Sequence, residues 1–336
     1  MPDFSISSLS MFLNQRRTLG DLQTRLTRSA VELSTGKKAR PVRELGLDFG
    51  VLVQLRRQHD QISNYQRRID LIDSRLDITQ VSLTTINNGL DRLPEDIQSS
   101  AGRGDVTALL RHAAEGKNIL ARTISALNIN VGGRYLFSGN EVQTQPLVAA
   151  STFTAQVGTL ISGAPDLASG LTALDDFFGD VAPAGFTGTL YQAATGPAPI
   201  GEIAESERLT YGVKANEQPF RTLMQGLAMM SALAEGTVSL SGQDLQDFSS
   251  RAAVKIREGR DGITLKRADL GAVQAETTRT KSAHEATLTA LGLRISALEG
   301  RDPNEAATQF QSLESQLQAS YLITGRLAQL RLTNFI

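Results

Sequence analysis

The stretch Ile62–Leu93, ISNYQRRIDLIDSRLDITQVSLTTINNGLDRL, decides the fold. Apolar residues fall seven apart at Ile62, Ile69, Leu76, Leu83 and Leu90. A second set falls at Tyr65, Ile72, Ile86 and Leu93, where only Thr79 interrupts the same spacing. Arg67, Arg68, Asp70, Asp73, Arg75 and Asp77 occupy the positions between. Apolar a and d positions in a repeat of seven are the seam of a coiled-coil-like helix whose other faces meet water. At 1.5 Å per residue the segment makes a rod of about 48 Å. A small globule cannot cover such a rod, so the seam needs partner helices. The frame runs back through Leu55 and Val51, and Pro94 ends or kinks the helix by removing a backbone donor.

The same pattern recurs toward both ends. Phe12, Leu19, Leu26 and Leu33 are seven apart, with Leu22 between them, and Gly36 suits the position just past a helix end. Val106, Leu109, Leu110, Ala113, Ile119, Leu120, Thr123, Ile124 and Leu127 predict a further helix, with Gly132-Gly133 as its closing signal. On the C-terminal side, Phe220, Leu223, Leu227 and Met230 predict one helix, and Leu288, Leu291, Ile295 and Leu298 a longer one. Asp302 is placed to cap a last helix with Pro303 at its first position. Phe310, Leu313 and Leu317 restart the apolar seam, Leu322, Ile323, Leu327, Leu330 and Leu332 carry it almost to the last residue, and Phe335-Ile336 imply a tail buried against something.

Charge divides the chain in three. Residues 1–134 hold 19 Lys or Arg against 14 acids, residues 135–207 hold none against 8, and residues 208–336 hold 15 against 13. The middle block is also rich in Gly, Ala, Thr and Pro, a composition shift that marks an inserted module. A single domain with a long acidic loop is the alternative, though so long a structureless loop is unusual in a compact domain. Phe153–Ile161, Thr187–Tyr191 and Leu209–Val213 alternate loosely and predict short strands, with a short helix at Leu171–Phe178. The expected fold is therefore mainly α. A long antiparallel helical, coiled-coil-like stem from the N- and C-terminal segments carries an inserted β-containing domain. The expected divisions are an N-terminal assembly helix (1–40), the two stem halves (41–137 and 216–300), the insert (138–215) and a C-terminal assembly helix (301–336).

Little in the chain points to chemistry. It has no cysteine, which removes disulfides, thiolate metal sites and cysteine nucleophiles. His59, His112 and His284 are isolated and read as solvated helix histidines; Asp175-Asp176 read as paired acids without a cationic partner. Ser34-Thr35-Gly36-Lys37 ends like a phosphate loop but lacks the first Gly and the closing Ser or Thr. Arg56-Arg57 and Arg67-Arg68 alternate with acids and lack interleaved aromatics, so a solvated face or an interface suits them better than nucleic acid. No cofactor, metal or catalytic group is expected. No run of apolar residues is long enough to span a membrane, and Met1–Thr18 lacks an apolar signal core.

Three stretches resemble the flagellin superfamily, most closely its hook-associated protein 3 (hook–filament junction) family. Leu33-Ser34-Thr35-Gly36-Lys37 resembles the L-S-[ST]-G-[KL] that follows the first helix, although Ala39–Glu44 departs from the turn that usually comes next. Gly133-Arg134-Tyr135-Leu136-Phe137-Ser138-Gly139-Asn140 resembles the G-R-Y-[IL]-F-[AS]-G where the stem meets the insert. Gln316–Tyr321 and Leu327–Phe335 resemble the L-Q-A-S-Y…L-S-L-x-N-[YF] tail. The resemblance implies a structural subunit outside the cell in the bacterial flagellum, exported by the flagellar type III route. It implies self-association in a ring and contacts with hook-associated protein 1 and flagellin, with an export chaperone as a further partner. On this basis Phe12, Leu19, Leu22, Leu26, Leu33, Leu313, Leu317, Tyr321, Leu327 and Leu330 form the expected assembly interface. Ile62–Leu93 supply the stem core, and Arg134, Tyr135, Phe137 and Gly139 mark the stem–insert junction. The terminal stretches cannot bury enough surface alone to offset their ordering entropy, so they are expected to order on assembly. Flagellin itself, and a ligand-binding or enzymatic module carried on a stalk, are the competing readings.

Overall fold

The computed structural model describes residues 4–181 and 185–332, with side chains described at 10, 11, 13–181 and 185–326. The described elements run in order α1 (Phe4–Thr35), α2 (Pro41–Leu45), α3 (Asp48–Asn88), α4 (Leu93–Gly102), α5 (Val106–Leu127), β1 (Asn130–Val131), β2 (Arg134–Tyr135), α6 (Ala150–Ser162), α7 (Leu167–Gly179), α8 (Phe186–Thr189), β3 (Ile200–Ala204), β4 (Glu207–Thr210), α9 (Gln218–Glu235), α10 (Gly242–Glu299) and α11 (Pro303–Leu332). The chain divides into two compact units, residues 1–63 with 285–336, and residues 64–284. Among the described residues the fold is mainly helical, with two small antiparallel hairpins.

In the first unit α1 and α11 lie side by side. Their ends carry the expected punctuation. Gly36 follows α1 with φ 65°, a left-handed conformation that costs glycine little. Asp302 caps α11, accepting the N–H of Asn304 at 2.8 Å, with Pro303 at the first helical position.

In the second unit the seam of α3 is buried. Ile69, Ile72, Leu76, Leu83, Ile86, Leu90 and Leu93 are buried, and Thr79 sits in line with them, its hydroxyl turned back to the Arg75 carbonyl at 2.8 Å. Tyr65 is only half-buried, and so is Ile62 in the first unit. Polar pairs border the seam. Lys281 Nζ meets Asp70 at 2.5 Å, Thr277 Oγ1 donates to Asp73 at 2.5 Å and Gln274 Nε2 to Asp77 at 2.8 Å. Asn87 Nδ2 donates to Thr264 at 3.0 Å. As α3 numbers rise, α10 numbers fall, so the two helices are antiparallel. Pro94 stands in the first turn of α4, after α3 has ended at Asn88.

Within the second unit α9 packs on α10 and is itself covered by α5, α6 and α7, with α4 against α5. Phe220, Leu223, Met224, Leu227 and Met230 of α9 are buried. Gly226 and Gly259 let α9 and α10 touch backbone to backbone: a Cβ on Gly259 would stand 2.6 Å from Leu223 Cα. α5 begins on Asp105, whose carboxylate accepts the Ala108 N–H at 2.9 Å.

The insert differs from its sequence reading in three places. Phe153–Ile161 lies in helix α6, not a strand; its buried residues Phe153, Thr154, Val157 and Gly158 repeat at intervals of four, which is helical. Thr187–Tyr191 is a helical turn followed by a bridge from Tyr191 to Leu147, and only Leu209 and Thr210 of the third stretch lie in a strand. Helix α7 covers the expected Leu171–Phe178. Gly132-Gly133 do not close α5, which ends at Leu127. Both have positive φ and make the turn of the β1–β2 hairpin, where Asn130 pairs with Tyr135.

Candidate functional site

Two features carry the candidate residues: the α1–α11 pair in the first unit, and the β1–β2 hairpin with its continuation to Gly139 in the second.

In the α1–α11 pair, Gln15 Nε2 donates to Thr324 Oγ1 at 3.1 Å and Gln23 Nε2 to the Tyr321 hydroxyl at 2.8 Å. The register is antiparallel. Leu22 and Leu313 are buried, Leu19, Leu26 and Leu317 half-buried, and Leu33 and Tyr321 exposed. The side chains of Phe12, Leu327 and Leu330 lie outside the described residues. The outer faces carry further exposed apolar side chains: Met11, Leu13, Val31, Leu322 and Ile323. A two-helix pair can cover only one stripe of each helix, so this surface is available to other chains.

A polar base closes the pair. The Lys38 N–H donates to the Glu299 carbonyl at 2.8 Å and the Arg301 N–H to the Gly36 carbonyl at 2.9 Å, which ties the turn after α1 to the turn before α11. The Glu299 carboxylate is buried and meets Lys37 Nζ at 3.2 Å and Arg56 Nε at 2.7 Å. Burial pushes its carboxyl up, but the hydrogen bonds and charges of Arg56 and Lys37 outweigh it and hold the group below the usual range. Glu32 is buried beside it and accepts the Ala39 N–H at 3.1 Å. The sequence reading put Arg56 on a solvated face or an interface; its partner is 243 positions away, where no local pattern reveals it.

At the hairpin, Arg134 is exposed and Tyr135 half-buried, its N–H donating to the Val142 carbonyl at 2.7 Å. Phe137 is fully buried edge-on against Phe220, 6.2 Å between ring centres, and its carbonyl accepts the Ala215 N–H at 3.0 Å. Gly139 has φ 65° and lies under Lys214, whose Cδ would stand 3.2 Å from an added Cβ. The segment therefore ties the hairpin to the start of α9.

Two expectations about charged groups need correction. Asp175 has cationic partners: Arg251, and Lys255 at 3.0 Å, with Gln225 Nε2 donating at 2.7 Å. These come from α9 and α10, so the network fastens α7 to both. His284 is buried, not solvated, with its ring 5.9 Å from that of Tyr65. Burial lowers its pKa, and the Glu207 carboxylate opposes the shift. Among the described residues no cluster of three or more His, Asp or Glu is placed to hold a metal ion, and no helix is long and apolar enough to cross a membrane.

Comparison with known proteins places this arrangement. Residues 6–142 match the bacterial flagellin N-terminal helical region and residues 255–336 the bacterial flagellin C-terminal helical region. No curated protein matches the chain at the sequence level. Among solved structures the fold is similar to one described as a flagellar hook-associated protein from Vibrio parahaemolyticus. The TM-score is 0.54 and the identity 13%, over 76% of this chain and 99% of that one. It is also similar to Bacillus cereus FlgL, with TM-score 0.50 and 15% identity over 71% and 97% of the two chains. With flagellin-type helical regions at both ends and the insert between them, the chain belongs to the flagellin superfamily and is a structural, self-assembling component of the flagellum.

Proposed function

We propose that this chain is a hook–filament junction subunit. It assembles in a ring through its terminal helices and links hook-associated protein 1 on the hook side to flagellin on the filament side, after export by the flagellar type III route. The observation that carries the reading is the Gly133–Asn140 stretch, whose tyrosine-containing sequence resembles the junction family and whose Phe137 anchors the hairpin to α9. The fold likeness to a flagellar hook-associated protein and to FlgL, each covered almost end to end, supports it. In this reading 1–40 and 301–336 are assembly helices, 41–137 and 216–300 the stem halves, and 138–215 the insert. Phe12, Leu19 and Leu26 then pack with Leu317, Leu327 and Leu330 within or between subunits. The flagellin-type helical regions favour one other reading, the bulk filament subunit. Deleting the gene and imaging the cells separates the two. Hooks without filaments, with flagellin shed to the medium and few copies of this chain per flagellum in the parent strain, support the junction. A chain abundant along the filament's length overturns it.

A further inference from the structure

Residue Leu47, in the turn between α2 and α3, is 98% exposed. It follows Gly46, which has φ 55° and ψ −116°, and it is flanked by the exposed carboxylates of Glu44 and Asp48. A leucine this exposed is an apolar knob that its own unit leaves uncovered among the described residues. The second unit holds a matching hole. A cavity of about 170 Å³ opens where the outer side of α3 meets the β1–β2 hairpin, lined by Leu71, Ile78, Val131, Tyr135 and Tyr211. Its cationic groups are Arg75, which donates to the Tyr211 hydroxyl at 2.8 Å, and Arg134, which is exposed; no carboxylate lines it. A void of about 150 Å³ holds a benzene ring, so the hole takes a leucine side chain. Leu71, 65% exposed, extends its apolar floor outward. Tyrosine and arginine around an apolar pocket are the residue types that dominate binding energy at protein interfaces.

We infer that Leu47 of one copy inserts into the Leu71–Ile78–Tyr135 groove of a second copy, with Asp48 and Glu44 meeting Arg134 and Arg75. Knob and hole are different surfaces, so the contact is heterologous and propagates from copy to copy as a ring or a helical array. Arg43, on the same short helix as Glu44, is exposed in the single chain. The inference rests on the self-assembly of the proposed function but not on the junction role.

The test uses the absence of native cysteine. Full-length Leu47→Cys and Leu71→Cys chains are co-expressed, and isolated flagella containing both are oxidised. A disulfide-linked dimer is expected with this pair, and none with either variant alone or with Leu47→Cys beside Leu265→Cys, an exposed leucine outside the groove. Equal cross-linking to Leu265→Cys overturns the inference. So does the absence of a dimer from flagella that hold both chains, or a cross-link from Leu71→Cys to a chain of different mass. If Leu47→Cys is not incorporated, Asp48→Cys with Ser74→Cys is read in the same way. Filaments that form normally without the cross-link reject this contact and leave the proposed function standing, whereas the gene-deletion phenotype bears on that function alone.

Discussion

Arg56 reaches Glu299 with two nitrogens on one oxygen, Nη2 at 2.5 Å and Nε at 2.7 Å from Oε1, while Lys37 takes Oε2 at 3.2 Å. The carboxylate is buried, so its satisfaction depends on these two cations. Arg56→Ala is expected to destabilise the first unit by about 1–3 kcal/mol, the cost of a buried charged group left short of a partner. A fall in the urea midpoint of the purified chain with an unchanged slope measures it; an unchanged midpoint rejects the role.

Acid should loosen the chain in two windows. Burial lowers the His284 pKa, so the unfolded chain binds the proton more readily, and stability falls as pH drops below the ordinary value of 6.5. The Glu299 carboxyl is also lower when folded than its ordinary 4.5, so its contribution is present above that pH and lost as pH falls through the folded value. Thermal melts of wild type and His284→Leu against pH check the first window. The slope just below pH 6.5 should flatten in the variant, while the lower window remains.

Two glycines of α10 should respond in opposite directions. At Gly259 a Cβ would lie 2.5 Å from Leu223 Cβ, whereas Gly271 has open space around it. Gly259→Ala is expected to cost about 1–3 kcal/mol by overpacking. Gly271→Ala should stabilise by about 0.5–1 kcal/mol, through reduced freedom of the unfolded chain. Denaturant unfolding of both variants decides the matter by sign.

Leu76 and Val81 sit on one helix with opposite exposure. Leu76→Ala should cost about 2–5 kcal/mol, and Val81→Ala less than about 0.5 kcal/mol. Equal shifts in melting temperature would show that the seam is not the core.

The helical seam was legible because burial on a long helix repeats every three or four residues, and Ile69, Leu76 and Leu83 carry that period without interruption. Thr79 reads as a break yet sits in the seam, since a threonine can satisfy its hydroxyl on its own helix. The ends of α1 and α11 were legible because Gly36 and Asp302-Pro303 act within a turn of themselves. Helix α6 was not: Thr and Val among small residues in Ala150–Ser162 suit either period, and its partners on α9 decide the outcome. Gly132-Gly133 signalled a turn without saying which elements it joins. Asp175 and His284 were misread, and the Glu299 partner of Arg56 went unseen, because each has its partner far away in sequence or is buried by packing that no local pattern encodes.

The ladder between α3 and α10 joins residues far apart along the chain, 211 positions for Asp70 and Lys281 and 204 for Asp73 and Thr277. Loop closure over such separations costs entropy before any contact returns it, and high contact order slows folding. A chain read from its N-terminus makes α3 long before α10. Until α10 arrives, Asp70, Asp73 and Asp77 lack Lys281, Thr277 and Gln274. The last third of the polypeptide therefore controls when the second unit can first complete its packing.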